Sequence, residues 1–249
     1  MSSGAGYDLS VSTFSPDGRV YQVEYAAKAV ENSGTVVGLC CKDGVVMGCE
    51  KFLTSKMLVP GTNRRILRVA KHAGIAMAGL VPDARQLALR ARSEASNYQD
   101  SYKSAIPARI LAERVGLFVH LFTIYWSVRP CGASVLLAIM DVDGTPSLYG
   151  IDSPGTVLKY YAHAVGKGSR QAKGMIEKLD LKELTCAEAI KHVAHIIHKV
   201  HDEKDKEFEL ELSWLCPQSN NEQSFVPPEL KKEAEEYAKA QLAAAEEED

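Results

Sequence analysis

Four histidines at three-residue spacing, His192, His195, His198 and His201, are the first residues whose type suggests chemistry. Neutral imidazole is a common metal ligand. Their spacing argues against a shared ion. On a helix turning ~100° per residue, nine residues rotate through roughly 900°, so His192 and His201 point opposite ways. At best one neighbouring pair could share a metal, and no clear third ligand accompanies it. Neutral surface or interface histidines are the preferred reading, and no metal site or cofactor is expected. Gly166-Lys167-Gly168-Ser169 has the residue types of a phosphate loop without the GxxxxGK[ST] spacing; a strand-to-helix junction with close backbone packing fits it better. The six cysteines (40, 41, 49, 131, 186 and 216) include no CxxC pair, and most sit in apolar runs, so buried reduced thiols are expected. Arg64, Arg65, Arg68 and Lys71 suit two readings equally: a site for acidic groups, or an edge strand with exposed cations.

The elements that would position these residues follow from periodicity. Apolar strands are expected at 35–41 and 45–50, joined by Asp43-Gly44, a strong hairpin signal. Two more are expected at 66–70 and 74–79. A helix over 82–98 has Pro82 in its first turn. A second follows Pro107, with Leu111, Val115, Phe118, Val119, Phe122 and Trp126 facing inward. Strands return at 133–140, 147–152 and 157–165, then a helix at about 169–179. Thr185 and Glu188 form a capping box that opens a helix running to about His201. Phe208, Leu210, Leu212 and Trp214 alternate with Glu207, Glu209, Glu211 and Ser213, so a strand with one solvated acidic face is expected. A last helix follows Pro227-Pro228. Several strands are apolar on both faces and must be covered on both sides. Two stacked, mainly antiparallel sheets with helices outside satisfy that requirement.

Ahead of the first strand stands YDLSVSTFSPDGRVYQVEYAAKAVE, residues 7–31. Ser15-Pro16-Asp17-Gly18 reads as a turn. From Val20 the pattern becomes helical, with Val23, Ala26, Ala27 and Val30 in one stripe, and Asn32-Ser33-Gly34 stops it. A helical preface of this kind needs a partner to bury its stripe, which marks it as an assembly element.

The same stretch resembles the N-terminal signature of 20S proteasome alpha subunits. That family's pattern of Tyr-Asp, then Phe-Ser-Pro-(Asp/Glu)-Gly-Arg, then Gln-Val-Glu-Tyr-Ala stands here as Tyr7-Asp8, Phe14 to Arg19 and Gln22 to Ala26. The resemblance continues through Lys42 to Val46, Arg129-Pro130-x-Gly132, Ala164 to Gly168 and Phe208 to Trp214. Leucine at position 9, where most alpha subunits carry arginine, the Glu-Leu-Glu-Leu-Ser-Trp strand and an acidic end point to one particular member. The resemblance implies an α+β fold, a four-layer αββα sandwich of the Ntn-hydrolase type with an N-terminal helical extension. The domain organisation expected is 1–33 as gate segment and ring-contact helix, 34–226 as sandwich core, and 227–249 as an acidic helix and tail of the same domain.

The related beta subunits are peptidases that use an N-terminal threonine freed by cleavage after glycine, and Gly34-Thr35 superficially mimics such a junction. The chemistry requires a free amine as base, an acid, and a lysine whose charge lowers neighbouring pKa values. The acid position holds Glu50, where the active family carries aspartate. The lysine position falls at Arg64-Arg65, and arginine is effectively always protonated. Thr35 to Gly44 is also one residue short of the active pattern. A non-catalytic subunit is therefore expected, with no catalytic residues.

By this resemblance, the chain is expected in a hetero-heptameric ring with neighbouring alpha subunits, stacked on beta-ring subunits and approached by the regulatory particle or other activators. Met1 to about Thr13 would form the gate segment, and the family's open-gate cluster carries over to Tyr7, Asp8, Pro16 and Tyr25. Their hydroxyls and carboxylate would bond between adjacent subunits. The family's activator-pocket lysine matches Arg65, which can still accept a terminal carboxylate. The family's Arg-Pro-Phe-Gly is Arg129-Pro130-Cys131-Gly132 here, a change expected to alter packing rather than role.

Bulk properties agree with this class. Hydrophobic residues make up 46% of 249, enough for a substantial core. No run approaches the ~20 apolar residues of a membrane span, and the start has no signal-peptide pattern. The chain is expected to be soluble, in cytoplasm and nucleus, with no membrane association. A net charge of −3 does not suggest nucleic-acid binding. Residues 229–249 hold eight acids and three bases, read first as a solvated helix end and second as an attractor of basic segments.

Overall fold

The structure, a computed structural model, describes residues 6–59, 61–202, 204–205 and 207–247. The first five residues of the expected gate segment lie outside that description. Helix α1 (Tyr21–Glu31) precedes strands β1 (Val36–Cys40), β2 (Val45–Phe52), β3 (Ile66–Ala70) and β4 (Ala73–Gly79). Helices α2 (Val81–Tyr102) and α3 (Ala108–Leu121) follow, then β5 (Ala133–Met140), β6 (Pro146–Ile151), β7 (Val157–Tyr160) and β8 (Ala162–Val165). Helices α4 (Ser169–Ile176) and α5 (Cys186–Val200), strands β9 (Phe208–Leu215) and β10 (Ser224–Phe225), and helix α6 (Pro228–Glu247) complete the order.

Two five-stranded antiparallel sheets result, β10-β9-β2-β1-β8 and β3-β4-β5-β6-β7. All eight residues of β5 are buried, as a strand covered on both faces must be. Val135, Leu137 and Ile139 pack with Leu87, Leu111 and Val115 of α2 and α3. Leu136 and Ala138 point the other way, into an inter-sheet layer with Val36, Met47 and Cys49. On the far side of the first sheet, Val37, Val46, Leu212 and Trp214 meet α4, α5 and α6. The layers are therefore helix, sheet, sheet, helix. Helix α1 lies at one end of this stack, and its Val30 belongs to the inter-sheet layer. All six cysteines are free.

Three local expectations are corrected. The expected 157–165 strand is two strands: β7 pairs with β6 in one sheet, and β8 pairs with β1 in the other. The chain changes sheets at Tyr161, whose carbonyl accepts from Cys40 N. Trp126 does not face inward. Helix α3 ends at Leu121, turns take over, and Trp126 is 80% exposed. The acidic face of β9 is not solvated throughout either, because β9 lies between β10 and β2 with the second sheet beneath it. Glu211 is only 7% exposed and Ser213 is fully buried.

Helix α5 begins at the expected capping box: Glu188 N donates to Thr185 Oγ1, and Thr185 N donates to Glu188 Oε2. It crosses β2 at Gly48, where a Cβ would lie 2.4 Å from Val193 Cγ1 and 2.8 Å from Ile197 Cδ1. Gly48→Ala is expected to destabilise the chain by about 1–3 kcal/mol through overpacking. An unchanged urea midpoint would contradict this contact.

Candidate functional site

At the end of the sandwich near α1, the start of β1 is enclosed by three segments. Gly166 takes φ +99°, a conformation that favours glycine. A Cβ there would lie 2.5 Å from Gly34 O. The amide of Lys167 donates to Ser33 O at 2.9 Å, and that of Gly168 donates to Thr35 Oγ1 at 3.0 Å. The glycine-lysine-glycine run is thus a strand-to-helix junction packed on residues 33–35. Ser33 Oγ in turn accepts from Gly79 N at 2.8 Å, tying the segment after α1 to the second sheet.

Glu50, on β2, is 4% exposed and reaches two partners. Its Oε2 accepts from Thr35 N at 2.8 Å, and its Oε1 lies 2.6 Å from His201 Nδ1. Thr35 is 1% exposed. Its nitrogen is a peptide amide, hydrogen-bonded to a carboxylate, and its lone pair is delocalised into the carbonyl, so it cannot act as a base. Its hydroxyl faces an amide donor. Arg65 stands apart from this constellation: among the described residues, none of its hydrogen bonds reaches Thr35 or Glu50. Its backbone N donates to Glu211 Oε2 at 2.8 Å, and its carbonyl accepts from Met77 N. Its half-buried guanidinium leaves Nε enclosed without a partner, and burial lowers its pKa. No ion pair to Arg65 occurs among the described residues.

The other cations near it are exposed on edge strand β3 or just beside it, and pair within the chain. Arg68 and Lys71 share Glu222 at 2.8 and 3.7 Å. Arg64 lies over the Phe225 ring and 4.0 Å from Glu211. Burial raises the Glu211 carboxyl, opposed by the amides of Arg65 and Ile66 and by the charges of Lys51 and Arg64.

The N-terminal cluster is built on the expected turn. Gly18, at φ +75°, donates its N–H to Ser15 O at 2.9 Å, with Pro16 at the first central position. Arg19 holds Glu24 in a bidentate pair and lies over Tyr21. Tyr25 Oη donates to Asp8 Oδ2 at 3.1 Å, and Gln22 Nε2 donates to Asp8 O. The structure therefore joins Asp8 and Tyr25 inside one chain. Tyr7 is 40% exposed and makes no side-chain hydrogen bond among the described residues, and Leu9 is 87% exposed.

Two residues of these sites escape sequence reasoning. His201 follows the spacing of the helix histidines but partners Glu50. Glu211 follows the alternation of a solvated face but is buried. Its signal is present in the sequence: a sheet covered on both sides must bury alternate residues of β9, acidic ones included.

Two other histidines, His163 and His198, set a pH dependence. Burial, helped by Lys173, pushes His163 down to about 4. Burial, then Lys239, His201 and His195, pushes His198 to about 4. Unfolded, each titrates near 6.5 and binds the proton more readily. Their stabilisation is complete above about pH 6.5 and is lost as pH falls from there towards 4. The expected slope is up to about 1.4 kcal/mol per pH unit per histidine. Urea midpoints between pH 7.5 and 5 measure it, and His163→Phe should flatten the curve; equal slopes would contradict the assignment.

Comparison with known proteins adds sequence-wide matches. A family model described as "Proteasome subunit" matches residues 30–215, and a second, for the N-terminal signature of A-type proteasome subunits, matches residues 7–29. The chain is 57% identical over 244 residues to the alpha type-3 proteasome subunit of Arabidopsis thaliana, covering 97% of this chain and 98% of the relative. It is 57% identical over 242 residues to the alpha type-3 subunit of Acanthamoeba castellanii, covering 97% and 96%. It is 45% identical over 251 residues to a probable alpha type-7 proteasome subunit of Schizosaccharomyces pombe, covering 100% and 98%.

Proposed function

The chain belongs to the proteasome subunit family and bears its alpha-class N-terminal signature, and from that premise we propose that it is a non-catalytic structural and gating subunit of the alpha ring of the 20S core particle, serving ubiquitin-dependent and ubiquitin-independent protein degradation. The observation that carries the non-catalytic part is the burial of Thr35 as an internal amide, hydrogen-bonded to Glu50 behind residues 6–34. The lysine such chemistry needs is absent from the matching position, where Arg65 is engaged with Glu211 through its backbone.

The partners are neighbouring alpha subunits in a hetero-heptameric ring, beta-ring subunits, and the regulatory particle or other activators. Residues 1–33 supply gate and ring contact, 34–226 the sandwich, and 227–249 the acidic helix. The exposed face of α1, with Tyr25 at 44% and Phe14 ahead of it at 69%, supports ring contact. Tyr7, Asp8, Pro16 and Tyr25 are the gating residues. The Asp8–Tyr25 bond pre-orders this cluster within the chain. Arg65 is the activator-pocket residue, a half-buried cation with no ion partner among the described residues, suited to a C-terminal carboxylate. Cytoplasm and nucleus are the locations, in keeping with six unpaired cysteines.

The gate is tested by deleting Met1 to Thr13 in assembled particles. Basal peptide hydrolysis is expected to rise. Unchanged hydrolysis would show that this tail contributes little to closure.

A further inference from the structure

A cavity of about 290 Å3 opens between the first turns of α2, the end of α3 and the loop that leads into β5. Leu87, Phe118, Phe122, Val128 and Cys131 form its apolar wall. An enclosed apolar cavity of roughly 150 Å3 holds one benzene ring, and this half-open pocket has the volume for one. Phe118 and Phe122 stand edge to face, with centroids 5.2 Å apart, leaving ring faces and edges for a further aromatic group. The Cys131 thiol, pushed up to about 11 chiefly by burial, stays protonated and serves as a small apolar wall rather than a nucleophile.

The rim selects against charge. Asp83 is held by Arg129 at 2.6 and 2.8 Å and accepts from Gly132 N at 3.0 Å. Its carboxylate is therefore neutralised and a cation gains little there, while Asp83 beside Arg129 opposes an anion. Gln86, also on the rim, is exposed, and its side-chain amide makes no hydrogen bond among the described residues. It offers two N–H donors and a carbonyl acceptor to an uncharged polar group. An apolar pocket with a few polar groups at its rim is the general form of a small-molecule site.

We propose that this cavity is a binding site for small, uncharged one-ring aromatic molecules carrying a single hydroxyl or amide, with the ring among Leu87, Phe118 and Phe122 and the polar group at Gln86. Cys131 sets the available volume, so a phenyl side chain at that position would occupy the ligand's place.

Phenol is the probe. Saturation-transfer NMR on the full-length chain is expected to show phenol binding and a rise in melting temperature with phenol concentration. Cys131→Phe should weaken phenol binding at least about tenfold, equivalent to about 1.4 kcal/mol, while melting no lower than the unmodified chain. Cys131→Ala should bind at least as well as the unmodified chain. Val128→Trp, at a position 38% exposed, blocks the mouth without altering the core and carries the same expected loss should Cys131→Phe fail to fold. Absence of binding to the unmodified chain, or equal binding by the unmodified chain and the blocked variants, would overturn the proposal.

Discussion

A chain that begins at Thr35 is expected to be about 2–4.5 kcal/mol less stable than the full chain and to be missing from assembled particles. Truncation removes α1, whose Val30 is 6% exposed within the inter-sheet layer. Burial of a valine side chain stabilises by about 1.5–3 kcal/mol. Loss of Ser33 removes the acceptor of the half-buried Gly79 N, and a typical intramolecular hydrogen bond contributes about 0.5–1.5 kcal/mol. A hydrolase would behave in the opposite way, because truncation would free the Thr35 amine and create activity. Urea unfolding and co-assembly with neighbouring subunits on native gels measure both expectations. A truncated chain that enters rings normally, or that hydrolyses peptides, would contradict the role assigned to residues before Thr35.

Glu50→Ala carries the second large effect, a loss of about 2–6 kcal/mol, at about 1–3 kcal/mol for each of the two donors it leaves unpaired. It strips Thr35 N and His201 Nδ1 of their shared carboxylate. Three remote segments then lose their common anchor: the start of β1, the middle of β2 and the end of α5. A double-mutant cycle with His201→Ala is expected to show a coupling of about 0.5–3 kcal/mol. Peptide hydrolysis per assembled particle should stay unchanged. Lost hydrolysis at unchanged stability would instead mark Glu50 as a catalytic acid.

Much of this architecture is legible because local chemistry and global packing agree. Asp43-Gly44 does join β1 to β2, and Thr185 with Glu188 does cap α5. The continuous apolar run of β5 requires cover on both faces, and stacked sheets with outer helices satisfy it. Legibility fails where a residue's environment is set by distant chain. Val157 to Val165 has unbroken strand propensity, and the transfer between sheets at Tyr161 is driven by pairing with β6 and β1, neither of which leaves a local mark. Trp126 continues the helical spacing of α3, but the chain has already turned. Glu211 alternates with leucines like a solvated residue. Only the second sheet beneath it, and the two amides of Arg65 and Ile66 that need an acceptor, explain a buried carboxylate there.

The threonine site shows the same division. Residue types at positions 50 and 65 already argue against hydrolysis, although Thr35 has the type of the nucleophile. The spacing does not reveal that Glu50 holds the Thr35 amide and His201 together, or that Gly168 faces the hydroxyl.

Native mass spectrometry of the particle that contains this chain, with release and intact mass of the subunit, tests the structural-subunit role most directly. The expected result is a ring assembly that releases the chain with the residues ahead of Thr35 still attached. A subunit whose mass begins at Thr35, or a chain found only as a free monomer, would contradict it.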